Sequence, residues 1–224
     1  MKISRSIFLI CISTLLLLPS GCYMSQYSKS GKLDMSGPGY DELMPFPSGF
    51  EKALYKARLE VNGNDFAGLM MVKAFEEENY KVAFFSELGL NFFDFELRGT
   101  GKKNHLKLHV NNIYPPLDKD ILLNKFEKYF SMLLGAGPDG MEQMSYLKKD
   151  GSMVLMKVKS YQGKDAYLSK NLIEAYTEIV NLGKFRGNDR ITITLSSGKQ
   201  NFSPQNILIE QPGLRLQFSL ELVN

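Results

Sequence analysis

The chain has 224 residues, 44% of them hydrophobic and 23% charged, and a formal net charge of +3. Such a balance gives no electrostatic case for binding nucleic acid, which usually requires a strongly basic face, so no nucleic-acid partner is expected. The length allows one domain with a sizeable core, or two small ones.

Residues 1–21 have the organisation of a secretory signal peptide. Positive charge precedes an apolar segment at residues 7–18, which is shorter than a typical membrane span and lies close to the N-terminus. This segment leads into Leu-Pro-Ser-Gly-Cys at residues 18–22, which resembles the processing site of bacterial lipoproteins. The resemblance implies a lipid on Cys22, although Pro19 departs from the aliphatic residue usual at its position. A simple secretory signal or an uncleaved anchor is the alternative.

The residues after the signal predict an anchored protein without disulfides. Cys11 and Cys22 are the only cysteines, and Cys11 lies within the signal, so the exported domain must be held together by its core. Residues 22–49 are rich in serine, glycine and proline, which predicts a flexible tether. Residues 23–25 contain no acid. By resemblance to proteobacterial lipoproteins, this favours the outer membrane, with the lipid anchor on the periplasmic side.

Residues 50–224 are predicted to form one domain built mainly of antiparallel strands. Residues 54–61 alternate in polarity, and Asn62-Gly63 predicts a hairpin turn. Residues 66–75 return as a strand that is apolar on both faces in its middle, as in a central strand. Further strands are predicted at residues 106–110, 141–148, 153–159, 173–181, 190–196, 206–210 and 214–223. For residues 173–181 a helix is the alternative by propensity.

The most informative stretch is a strand pair with an apolar tip. Residues 80–85 and 93–97 alternate with a period of two, as strands do when one face is more apolar than the other. Leu88, Gly89 and Leu90 form the loop between them, whereas loops are normally polar because they run over the surface. Either the loop packs under a neighbouring element or it contacts something apolar outside the domain. We expect the second, as a membrane-insertion loop.

One segment has a helical period. After Pro115 and Pro116, apolar residues recur at spacings of three and four, which places them on one helix face. They are Ile121, Leu122, Phe126, Tyr129, Phe130 and Leu133. Asp118 is the predicted N-cap, and Gly135 is the predicted end of the helix.

The order of these elements resembles the LolA/LolB superfamily of periplasmic lipoprotein carriers and receptors. The shared features are the Glu-Leu-Gly tip at residues 87–89, a helix closing in Leu-Leu-Gly-Ala-Gly-Pro at residues 133–138, and a final strand pair at residues 204–220. The resemblance covers roughly residues 50–223. It implies a mainly β fold with an inserted helix (α+β), in which an incomplete barrel of about ten antiparallel strands wraps an apolar cavity and the helix covers the concave face. The absence of tryptophan and the apolar Leu90 depart from the family.

The resemblance also implies a function. The protein would bind acyl chains, receive lipoproteins and insert them into the outer membrane, with Leu88 entering the bilayer as in the anchored member of the family. Expected partners are the acyl chains of lipoproteins, the membrane itself and a periplasmic lipoprotein carrier protein. The predicted cavity residues are Leu59, Met70, Val72, Val82, Phe84, Phe93, Phe95, Phe126 and Phe130. The alternatives are a scaffold lipoprotein without a ligand, and a carrier of glycolipid or another envelope lipid.

Patterns for catalysis or metal binding are weak, so neither an enzymatic activity nor a cofactor is expected. His105 and His109 could share a strand face, but no cysteine or carboxylate cluster joins them in sequence to complete a metal site. Asp94 and Glu96 could form an acid–base pair, yet their alternation with phenylalanines favours a solvated strand face. Residues 99–103, Gly-Thr-Gly-Lys-Lys, lack the spacing of a P-loop.

Overall fold

A computed structural model describes residues 45–46, 49–76, 79–100, 106–134, 143–149, 153–159, 165–171, 176–181, 190–197 and 203–223. The predicted signal peptide, the lipidation site Cys22 and most of the predicted tether lie outside these residues, as do His105 and Gly135.

The described chain is mostly β, with twelve strands in one antiparallel sheet and a single α-helix. The strands are β1 (Lys52–Val61), β2 (Asn64–Glu76), β3 (Asn79–Phe85), β4 (Asn91–Gly99), β5 (Leu106–Ile113), β6 (Gln143–Lys149), β7 (Met153–Lys159), β8 (Asp165–Asn171), β9 (Tyr176–Asn181), β10 (Ile191–Ser197), β11 (Pro204–Gln211) and β12 (Leu216–Leu222). Helix α1 spans Asp120–Leu133.

The predicted count of about ten strands is wrong. Strand β8 was not predicted, because its residues Asp-Ala-Tyr-Leu-Ser-Lys-Asn lack a clear apolar alternation. Strand β8 pairs with β7 on one side and β9 on the other, and this pairing outweighs weak local propensity. Residues 176–181 form a strand, as preferred, and not the alternative helix.

The sheet is open and curved. Its strand order, β5-β4-β3-β2-β1-β12-β11-β10-β9-β8-β7-β6, runs from one edge strand to another. Helix α1 contacts β4 and β5 and also β10. In a flat sheet, β4 and β10 would lie about 29 Å apart, at about 4.8 Å per strand, whereas a helix is about 10–12 Å wide. The sheet therefore bends around α1, which agrees with an open antiparallel half-barrel carrying one helix.

Alternation along β1 sets the two faces of the sheet. Every second residue, from Ala53 to Val61, is buried on the inner face, and the residues between them are exposed. The strand ends in the predicted turn, where Asn62 (φ 51°) and Gly63 (φ 82°) are both left-handed, as a tight two-residue hairpin requires.

The start of α1 differs from the prediction. Pro115–Leu117 form a 3-10 turn, and the Asp118 N–H donates to the Pro115 carbonyl oxygen at 3.2 Å. Asp118 therefore closes this turn, and Lys119 is the N-cap residue of the helix. Ile121, predicted on the buried face of the helix, is 55% exposed. The buried residues of the helix begin at Leu122. Within the described residues, no helix has both the length and the apolar character needed to cross a membrane.

Candidate functional site

The nine predicted cavity residues lie together on the inner face. All are fully buried and belong to one core cluster, which joins β1–β4 to α1. Alternation in β1, β3 and β4 and the helical period of α1 each mark one face of their element. Strand β2 is apolar on both faces in its middle, and its position between β1 and β3 places Met70 and Val72 on the inner face. Whether an apolar cavity opens among them stays a prediction.

Aromatic rings fill the inner face at these positions. The Phe93 ring stacks on Phe95 with centroids 4.4 Å apart, and its centroid lies 5.4 Å from that of Phe126. Phe84, Phe130 and Phe218 also approach Phe93, with centroids 5.5, 6.0 and 6.4 Å away. Phe218 on β12 was not predicted as a site residue. It occupies every second position together with Leu216 and Leu220, which places the three on the same buried face. This part of the inner face is a packed core.

One buried polar contact joins the helix to the far half of the sheet. The Tyr129 hydroxyl on α1 donates to Oε1 of Gln211 at the end of β11, and both side chains are buried. Burial raises the pKa of the Tyr129 hydroxyl, so this group stays a neutral donor. The pair was not predicted, because its residues are 82 positions apart in the chain.

The β3–β4 loop is an ordered tip with exposed leucines. The Leu88 side chain is 98% exposed and Leu90 is 49% exposed. Three hydrogen bonds close the loop: Ser86 N–H to the Leu90 carbonyl oxygen at 2.8 Å, Gly89 N–H to the Ser86 carbonyl oxygen at 2.9 Å, and Leu90 N–H to Ser86 Oγ at 3.0 Å. Gly89 has φ 83°, which completes a three-residue hairpin loop with a left-handed last residue. The loop thus holds Leu88 away from the sheet.

A close approach between backbones fixes where the tip leaves the sheet. A Cβ atom added at Gly68 on β2 would lie 2.0 Å from the Phe85 carbonyl oxygen. Only glycine lets the end of β3 pass this close to β2. The role of Gly68 was not predicted, because the contact depends on the pairing of two strands.

The carboxylates of β4 form ion pairs on the solvent face. Asp94 Oδ2 lies 3.1 Å from Lys81 Nζ, and Arg98 Nε donates to Glu96 Oε2 at 3.0 Å. The hydrogen bond from Arg98, followed by that from Asn111, lowers the pKa of Glu96. This agrees with the solvated strand face expected from the sequence.

Of the two histidines considered as metal ligands, only His109 lies in the described part of the chain. His109 is exposed on β5 and lies opposite Glu96 across the β4–β5 pairing. Across the residues that the structure covers, no three His, Cys, Asp or Glu side chains come close enough to hold a metal ion.

A depression of about 450 Å³ adjoins the tip. Its polar lining comes from β1, β11, β12 and the tip itself, and consists of Lys56, Arg58, Glu87, Asn206, Ser219 and Glu221. These residues are distant in sequence and were not predicted as a site.

No protein-family model matches the chain, and no curated protein matches it either. Among solved structures, the chain is similar to the crystal structure of a DUF1329 family protein from Desulfovibrio piger. The two are 9% identical with a TM-score of 0.45, and the match covers 83% of this chain and 87% of that chain.

Proposed function

We propose that the protein is a lipid-anchored, non-enzymatic lipoprotein of the outer membrane, facing the periplasm. In this role it binds acyl chains, receives lipoproteins and inserts them into the membrane, as its resemblance to LolA and LolB implies. The observation that carries the proposal is Leu88, which is 98% exposed at the tip of an ordered hairpin.

The exposure of Leu88 is best explained by a contact outside the domain. Fully burying a leucine side chain contributes about 1.5–3 kcal/mol, and Leu88 gains almost none of this within the fold. Insertion into a bilayer would recover that free energy, and the half-exposed Leu90 would add to it. A lipid on Cys22 would complement the tip, since a single acyl chain gives only marginal membrane binding.

The packed inner face constrains where an acyl chain binds. The rings of Phe93, Phe126 and Phe130 are in contact with one another. A chain bound among them therefore requires α1 to move away from β4, because closely packed side chains leave no room for extra methylenes.

The same packing favours a second candidate, a scaffold lipoprotein that binds no lipid. Native mass spectrometry of the full-length protein, with an acylated peptide and its non-acylated counterpart, separates the two. A one-to-one adduct formed only by the acylated peptide supports the carrier. A protein that binds neither peptide would be a scaffold.

The test of the proposed function is Leu88→Glu. We expect it to reduce transfer of an acylated peptide from a carrier to vesicles by at least about tenfold, because a charge at the membrane interface opposes insertion. The matched control is Ile121→Glu, which changes another exposed aliphatic residue (55%) on α1 and should leave transfer unchanged. Wild-type transfer by Leu88→Glu would refute the proposal.

A further inference from the structure

The solvent face of the sheet beside the tip is unusually apolar. Leu69 on β2 pairs with Phe85 on β3, and Leu54 on β1 pairs with Met71 on β2. These positions alternate with the buried residues of the same strands, so they lie on the face opposite the core. The solvent face of an antiparallel sheet is usually polar.

The 450 Å³ depression adjoins this apolar surface and shares a residue with the tip. Lys56 is opposite Leu69, which connects the depression to the Leu69–Phe85 pair. Glu87, directly before Leu88, lines the depression from the other side. Its volume lies within the range of about 300–1,000 Å³ that small-molecule sites occupy.

Three charged groups in the depression are free to bind a ligand. Arg58 is engaged, because its Nε and Nη2 atoms donate to Asp65 at 3.0 and 2.8 Å. In contrast, no ion pair within the described ranges involves Lys56, Glu87 or Glu221. Lys56 and Glu221 are opposite each other across the β1–β12 pairing. Among the described residues, the depression thus offers one unpaired cation and two unpaired carboxylates beside the paired Arg58.

We propose that this depression binds the headgroup of a zwitterionic phospholipid that carries an ammonium group. The phosphate lies at Lys56 and the ammonium group between Glu87 and Glu221, while the acyl chains run over Leu69 and Phe85 towards the tip. This inference rests on the proposed contact between the tip and the bilayer. A purely anionic headgroup would leave both unpaired carboxylates without a partner, since Arg58 is already bonded to Asp65, and it is disfavoured.

Native mass spectrometry of the full-length protein tests this site. Phosphatidylethanolamine and phosphatidylglycerol with identical acyl chains are added in turn. We expect phosphatidylethanolamine to form one-to-one adducts at roughly tenfold lower concentration, as one additional charge-assisted contact would give. Lys56→Gln should weaken these adducts about tenfold, Glu221→Gln should abolish the preference between the two lipids, and the exposed Lys119→Gln should change neither.

The outcomes separate this site from the proposed function. Equal adducts with both lipids, or an unchanged affinity in Lys56→Gln, would overturn the headgroup site. Equally strong adducts with free glycerophosphoethanolamine would overturn its assignment to a phospholipid. Leu88→Glu should lower transfer to vesicles and keep the preference for phosphatidylethanolamine. If Leu88→Glu transfers normally while the preference persists, the headgroup site stands and the proposed function fails.

Discussion

The paired strands of the β3–β4 hairpin (residues 79–85 and 91–99, the base) and its tip at Leu88 both carry apolar side chains, but only those of the base belong to the core. Phe84 and Phe93 face each other at the base, fully buried, with ring centroids 5.5 Å apart. Leu88 at the tip is 98% exposed. The β1–β2 hairpin closes with Asn62 and Gly63, so a tight turn in this sheet does not require leucine. The turn therefore does not require the leucine, and the proposed membrane contact gives this side chain a role.

The largest effect on stability is expected at the base. Phe93→Ala should lower the free energy of unfolding by about 3–5 kcal/mol, because it leaves a cavity among five neighbouring rings. Urea denaturation measures this loss. Phe75→Ala, at a site that is 42% exposed, is the control and should cost much less. Similar losses in both variants would remove the distinction between buried and exposed aromatic residues.

An intermediate effect is expected at the turn itself. Gly89→Ala should cost about 1–2 kcal/mol, because a side chain is strained at φ 83°. Gly89→Asn should cost less, since asparagine tolerates this region better. Gly63→Ala, at φ 82°, is the matched control. Thermal unfolding should report similar losses for both alanine variants, whereas vesicle binding should fall only in Gly89→Ala, in which the tip is displaced.

A smaller effect concerns the ion pairs on the solvent face of the base. Arg98 lowers the pKa of Glu96, so Arg98→Gln should raise that pKa towards its ordinary value, as an NMR titration would show. Because Glu96 titrates lower in the folded state, its contribution to stability is present above the unfolded pKa and is lost as pH falls through the folded one. An unchanged Glu96 pKa in the variant would contradict this account.

The smallest effect on stability is expected at the tip. Leu88→Ala should change the free energy of unfolding by less than about 0.5 kcal/mol, because its side chain makes almost no contacts in the fold. Vesicle binding by the same protein should fall clearly. A stability loss of several kcal/mol would show that Leu88 packs within the domain, and it would remove the main support for a membrane contact.

Local patterns predicted much of the core and the apolar loop at the tip. Alternation in β1 and β4 and the stripe on α1 identified side chains that meet in one cluster. The patterns failed where neighbours decide the outcome. Strand β8 depends on pairing with β7 and β9, and the start of α1 depends on a turn made by Pro115 and Pro116.

The sequence by itself determined which face of β1, β4 and α1 is apolar, where the Asn62-Gly63 turn falls and that a Leu-Gly-Leu loop joins two strands. The tertiary structure alone decided that Phe218 joins Phe93, that Tyr129 meets Gln211 and that the depression forms beside Glu87. Periodicity depends on the geometry of one element and is written in neighbouring residues. Contacts between distant strands depend on the pairing and curvature of the whole sheet, which no short segment encodes.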